Sequence, residues 1–295
     1  MNAVEDVLTC QCKLGEGPVW SVAEQALYWV DIENRRFSRL YPASGKYEVF
    51  EVGLPVGVLA PRERGGLVMA TKEGFAFWDW QAEPRLQFIA NANPEASKPH
   101  NRFNDGAVDS QGRFWAGTMC EGYDDCEGAG SLYRLNLDCA VSVMETGLTV
   151  SNGIGWSPDK TRMYLTDSPR KIIYVYDFDA QSGTISNRRA FVHTPNEASV
   201  PDGLTVDSEG FVWSARWGGW RIIRYDPDGK IEREIQMPVQ YPTSCAFGGP
   251  NLDELYITSA WTALSEQKRA QQPRAGDLFR LQTGIKGQEQ HKFAG

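Results

Sequence analysis

One internal repeat limits what this chain can fold into more than any other feature. Six segments align under one another: EGPVWS from Glu16, VGVLAP from Val56, NDGAVD from Asn104, NGIGWS from Asn152, DGLTVD from Asp202 and TSCAFG from Thr243. Their starts lie 40, 48, 48, 50 and 41 residues apart. Most are followed, after a turn, by an apolar strand such as LYWVD, RFWAG, MYLTD, FVWSA or LYITS, then by a strand running into a turn of the YDPDG type. Short strand-like segments broken by Gly, Asp, Asn and Pro are a β texture, and helical periods are scarce before residue 260. A period of roughly 40–50 residues, with about four strands per unit, predicts an all-β, six-bladed β-propeller. The strand VEDVLTCQC precedes the first unit. It is expected to complete the sixth blade and close the ring, which removes exposed sheet edges. Residues 1–295 then form a single domain.

Two β-sandwich domains would supply a similar number of strands, but they would not place like residues at this period. The Gly-His and Trp-Asp pairs of WD-type propellers do not recur. Insertions at 120–130 and 263–276 fall where loops belong.

The first strand of each blade lines the central channel, so equivalent residues of the six repeats form a ring around the axis. That ring is Glu16, Val56, Asn104, Asn152, Asp202 and Thr243. Four of these carry carbonyl or carboxylate oxygens, and none is Lys or Arg. Each alone reads equally well as a turn residue, since Asn-Gly and Asp-Gly pairs favour turns. Four at one register argue instead for an oxygen cage. Facing carboxylates in a buried ring repel unless a counter-ion joins them. Carboxylate and amide oxygens suit hard cations such as Ca²⁺, Mg²⁺ or Mn²⁺. The three histidines, His100, His193 and His291, lie outside the ring, which speaks against a His-based zinc site.

The net charge of −8 opposes a nucleic-acid or anionic-membrane partner, because both select a cationic face. No apolar run approaches the roughly 18 residues that cross a bilayer. The N-terminus carries acids where a signal peptide has basic and then apolar residues, so a soluble, cytoplasmic protein is expected. All six cysteines are expected as free thiols, since a chain of this size needs no staples. Cys10 and Cys12 alternate along a strand and should point to opposite faces, while Cys120 and Cys126 flank an acidic loop and could meet.

Several segments resemble the sugar-lactonase family of six-bladed propellers, which includes gluconolactonases, xylono- and arabinolactonases and regucalcin. They are LGEGPVW (14–20), NRFNDGAVD (101–109), GRFWAGTM (112–119), GSLYRL (130–135), SNGIGWSPD (151–159), MYLTD (163–167) and the run PDGLTVDSEGFVWSARWGGWRIIRYDPDG (201–229). The resemblance covers about residues 8–282. It implies one divalent metal, calcium first, with Zn, Mn, Mg or Fe as alternatives, held by Glu16, Asn152 and Asp202. It implies substrate contacts from Arg102, Asn104 and Glu121, with Gly122 competing for the place given to Glu121. The implied activity is metal-dependent hydrolysis of an aldonolactone to the aldonic acid, with Asp202 as base or with a metal-bound hydroxide attacking by itself. The implied partner is a small sugar lactone, and the implied assembly a monomer or weak homo-oligomer.

A cyclic ester opens when its carbonyl is polarised and a water is activated, and one cation serves both ends. A serine nucleophile has no support, because no Gly-x-Ser-x-Gly elbow occurs. His100 reads as a rim or loop residue, and Trp217 and Trp220 as a sugar platform or as blade packing. The stretch EGYDDCEG reads as a loop above the site, with Asp124 and Asp125 solvated. A non-catalytic calcium-binding protein and a hydrolase of another ester or of an organophosphate are the competing readings.

Overall fold

The computed structural model describes residues 3–122 and 126–295. Strand β1 (Glu5–Leu8) comes first. Blade 1 is β2 (Gly15–Ser21), β3 (Ala26–Asp31), β4 (Arg36–Tyr41) and β5 (Lys46–Glu51). Blade 2 is β6 (Val56–Pro61), β7 (Leu67–Thr71), β8 (Gly74–Trp78) and β9 (Leu86–Phe88). Blade 3 is β10 (Asn101–Val108), β11 (Phe114–Cys120), β12 (Gly130–Leu135) and β13 (Val141–Leu148). Blade 4 is β14 (Ser151–Trp156), β15 (Arg162–Asp167), β16 (Ile172–Asp179) and β17 (Thr184–His193). Blade 5 is β18 (Val200–Val206), β19 (Val212–Trp217), β20 (Arg221–Tyr225) and β21 (Ile231–Gln236). Blade 6 holds β22 (Pro242–Gly248), β23 (Glu254–Ser259) and β24 (Leu278–Gln282), with the short helix α1 (Glu266–Gln271) inside the insertion expected to be a loop. Strand β1 pairs antiparallel with β24 as the fourth strand of that blade. The six sheets and the N-terminal closure are those expected.

Each sheet buries both faces against its neighbours, so its middle strands are apolar throughout rather than alternating. ALYWVD of β3 is buried at every position. Aromatic residues fill the gaps between blades, as where the indole of Trp115 meets Trp156 and Phe178 edge-on.

The six innermost strands pack on one another in a closed circle, β2 on β6, β6 on β10, β10 on β14, β14 on β18, β18 on β22 and β22 on β2. Glycine permits that closeness. A Cβ at Gly153 would stand 2.4 Å from Leu204 N, and one at Gly57 2.5 Å from the Phe103 carbonyl carbon. The Asn152-Gly153 pair therefore lies within a strand and is not a turn.

The last nine residues, which show no period, cross the end of the channel opposite the turns that carry Ser168 and Glu121. Gly287 N donates to Leu252 O, and Gln288 Nε2 donates to the carbonyls of Trp156 and Val206. Gln290 Oε1 accepts from Trp20 N, Phe293 pairs with Pro61 and Glu63, and Ala294 N donates to Gly112 O. One strap thus ties all six blades and closes that end. Between the strap and the ring lies a cavity of about 110 Å³, lined by Asp105, Leu204, Ser244, Cys245 and Gln290 among others.

Candidate functional site

A β-bulge aims each ring residue. In all six blades the register between the first and second strands slips at the same place: Glu16/Val19, Val56/Val58, Phe103/Asp105, Ser151/Ile154, Pro201/Leu204 and Pro242/Cys245. A bulge breaks the in–out alternation and re-aims the side chains beside it. Asn104, Asn152, Asp202 and Thr243 sit inside the slipped stretches, and Glu16 and Val56 at their first residue. Glu16, Asn104, Asn152 and Asp202 are all buried. Val56 is buried and apolar, and Thr243 donates its hydroxyl to Gly15 O, fastening blade 6 to blade 1. Neither adds a donor.

Asn152 donates its side-chain nitrogen to Ser168 Oγ at 3.0 Å. Its carbonyl oxygen Oδ1 is buried and accepts no hydrogen bond. The Glu16 carboxyl is pushed well above its ordinary range, by burial first and then by the charges of Asp202 and Asp105. The Asp202 carboxyl is raised in the same way by burial and by Asp105, against partial relief from the Gly203 N–H and the Asn152 side chain. Buried carboxylates that repel, beside a carbonyl oxygen with no donor, are a set that a hard cation satisfies. Among the described residues no three acidic, His or Cys side chains converge closely enough to ligate one ion. The residues that could hold one are Glu16, Asp202 and Asn152, through two carboxylates and one amide oxygen.

Asp105 escaped the sequence reading. The residue after the ring position is Gly17, Gly57, Gly153, Gly203 or Ser244 in the other five repeats. That exception was visible in the alignment. Asp105 accepts from Gly106 N at 2.7 Å, lines the cavity below the ring, and is pushed up to about 7 by burial.

Beside the ring, Arg102 Nη1 donates to Asn104 Oδ1 at 2.8 Å and to Phe103 O at 3.1 Å. Asn104 Nδ2 in turn donates to Ser151 O at 3.0 Å. Glu121 lies at the rim, paired with Lys72 and 3.7 Å from Arg102 Nε, so Arg102, Asn104 and Glu121 do come together. Gly122 follows Glu121 in a left-handed conformation and has no side chain to offer. The buried Glu95 fixes the entry to β10, accepting from Asn101 Nδ2, Thr118 Oγ1 and Tyr133 OH at 2.8–3.0 Å. Nothing in its sequence context singled it out.

His100 is an exposed loop residue whose carbonyl accepts from Glu121 N. Trp217 packs its ring on Tyr241 at 4.5 Å, and Trp220 occupies a left-handed turn position. Asp124 and Asp125 lie outside the described residues. Two cysteine expectations are overturned. Cys120 and Cys126 form a disulfide, their Cα atoms 5.8 Å apart; lack of need for a staple does not prevent one. Cys10 and Cys12 face each other, their sulfurs 3.6 Å apart. The intervening Gln11 has φ of 48°, which breaks strand alternation.

No helix among the described residues is long and apolar enough to cross a membrane. Comparison with known proteins places the chain. Residues 14–261 match the SMP-30/Gluconolactonase/LRE-like region. A 6-deoxy-6-sulfogluconolactonase of Pseudomonas putida is 39% identical over 96% of this chain and 95% of its own. The regucalcin of Gallus gallus is 38% identical over 99% and 98%. A crystal structure of a calcium-binding protein, regucalcin, from Agrobacterium tumefaciens superposes with a TM-score of 0.94 at 29% identity, covering 100% of this chain and 98% of that one. The chain belongs to the SMP-30/gluconolactonase/LRE-like family of six-bladed propellers.

Proposed function

We propose that the protein hydrolyses a sugar lactone to the aldonic acid, using a divalent cation held by Glu16, Asn152 and Asp202. The observation that carries this reading is the buried, unpartnered Oδ1 of Asn152 beside two like-charged carboxyl groups. A cation bound there supplies Lewis-acid polarisation of the ester carbonyl and eases loss of a proton from water. Calcium suits the all-oxygen set best, and Mg or Mn shares its hardness. Zn or Fe is the softer alternative.

The chain's own groups do the rest. Asp202 takes the proton of the attacking water at a carboxylate oxygen, a transfer that needs hydrogen-bond reach. Arg102 is held by Asn104 and Phe103 through Nη1 and flanked by Glu121 3.7 Å from Nε. It keeps Nη2 for the substrate and stabilises the negative charge that grows on the carbonyl oxygen. Asn104 and Glu121 orient ring hydroxyls. The C-terminal strap blocks the far end of the channel, so substrate enters at the mouth that Glu121 and Lys72 border.

A panel of five- and six-carbon aldonolactones, followed by acid release with and without EDTA, tests this. At least one lactone should open far above its spontaneous rate, and chelation should abolish the excess. No turnover across the panel, or turnover that survives chelation, contradicts it. Similarity to a protein described as calcium-binding favours a second reading, a non-catalytic calcium binder. Tight calcium binding with no turnover of lactones, other esters or organophosphates would establish that reading.

A further inference from the structure

The seam where the ring closes contains a pair of thiols that lactone chemistry does not use. After β1 the chain crosses from blade 6 to blade 1 through Cys10, Gln11 and Cys12, just ahead of the strand that carries Glu16. Two hydrogen bonds hold the crossing, one from Cys12 N to Gly276 O at 2.8 Å and one from the Trp261 indole Nε1 to Gln11 O at 3.2 Å. The Gln11 side-chain amide donates to Asp277 Oδ1 at 3.0 Å. Gln11 is thereby held in its left-handed conformation, which turns both flanking sulfurs to the same side, 3.6 Å apart. Cys10 is half-buried, its thiol donating to Gly276 O at 3.3 Å, whereas Cys12 is buried with the Trp29 indole N–H on its sulfur at 3.4 Å. That asymmetry is the one a redox pair uses, with a less buried sulfur to meet the oxidant and a sheltered one to resolve it.

We propose that Cys10 and Cys12 are a peroxide-oxidisable dithiol, closed reversibly into a disulfide across Gln11. Cys10 attacks hydrogen peroxide as the thiolate, forming a sulfenic acid as the O–O bond breaks and hydroxide leaves, to be protonated to water. The Cys12 sulfur then attacks the Cys10 sulfur, the S–O bond breaks, and a second water leaves with the Cys12 proton. Two thiols are oxidised and one peroxide is reduced to two waters. The sulfurs must approach by roughly 1.5 Å to reach bonding distance, within what a three-residue crossing accommodates. The bond closes a small ring within the crossing and stiffens the link that leads into β2.

Mass mapping decides the matter, because trypsin releases both sulfurs in the peptide ending at Lys13 and puts Cys120 and Cys126 in a different one. After treatment of the full-length protein with stoichiometric peroxide, the Lys13 peptide should lose two hydrogens and resist alkylation. Dithiothreitol should restore two alkylatable thiols. In Cys10→Ser the oxidation should vanish and Cys12 stay alkylatable after unfolding; this site is half-buried and tolerates the change. In Cys12→Ser the Cys10 sulfenic acid should persist long enough to be trapped by dimedone. Sulfinic acid on Cys10 of the wild type with Cys12 still free, a disulfide between two chains, or an unchanged peptide would each overturn the proposal.

Discussion

Asn152 gives its side-chain nitrogen to Ser168 Oγ at 3.0 Å, a bond that restrains the orientation of the amide. With the nitrogen committed, the carbonyl oxygen is left buried and unpartnered, on a side chain that also neighbours Asp202. Groups that orient a ligand typically matter about 10-fold or more to metal affinity. Ser168→Ala should therefore weaken divalent-cation binding about 10-fold by calorimetry while leaving the circular dichroism spectrum unchanged. Unaltered affinity would mean that Ser168 does not orient Asn152.

Glu16→Gln removes one of three repelling carboxyl groups, Glu16, Asp105 and Asp202, and also one ligand oxygen. Lactone turnover should fall by at least about 10²-fold, the order lost when transition-state electrostatics are removed. In chelator the same variant should melt higher than wild type, because burial and the charges of Asp202 and Asp105 disfavour the ionised Glu16. Asp202→Ala should be as inactive and remain folded. A Glu16→Gln protein that melts lower in EDTA would show that the ring is not electrostatically strained.

Titration gives a signed expectation. Glu16, Asp105 and Asp202 all bind protons more tightly in the fold than an ordinary carboxyl does, Asp105 titrating at about 7. A raised folded pKa stabilises below the unfolded value, and that contribution is lost as pH rises through the folded value. In chelator the melting temperature should thus decline between about pH 5 and pH 8, and a saturating divalent cation should suppress the decline. Calorimetric scans with and without cation measure this; a chelated protein that stabilises steadily up to about pH 8 contradicts it.

Phe293 is fully buried among residues of blades 2 and 3, with its ring 6.1 Å from that of Phe77. Truncating a buried Phe costs about 3–5 kcal/mol, so Phe293→Ala should lose about that much in urea unfolding. A loss below about 1 kcal/mol would show that the strap contributes little to the fold.

The propeller was legible because its unit is long, repeated six times, and marked by residue types that only a shared register explains. The shared ring positions of Glu16, Asn152 and Asp202 were legible for the same reason, whereas their role toward a cation is our proposal. The bulges were not, since a register slip is a relation between two strands and neither sequence states it alone. Asp105 was hidden by reading the ring as one residue per repeat. The strap has no period, and its contacts join residues as far apart as Trp20 and Gln290. Alternation failed at Cys10 and Cys12 because a single left-handed residue, Gln11, is held there by Asp277 and Trp261, which lie some 250 residues away in sequence.

The central claim is that one ion sits on the propeller axis. Anomalous diffraction from crystals grown with manganese, collected again after calcium exchange, tests it most directly. The expected result is a single strong peak, lost on exchange to calcium, within coordinating distance of Glu16, Asn152 Oδ1 and Asp202. Absence of a peak there at saturating manganese, or a peak that leaves Asn152 Oδ1 uncoordinated, would contradict the account.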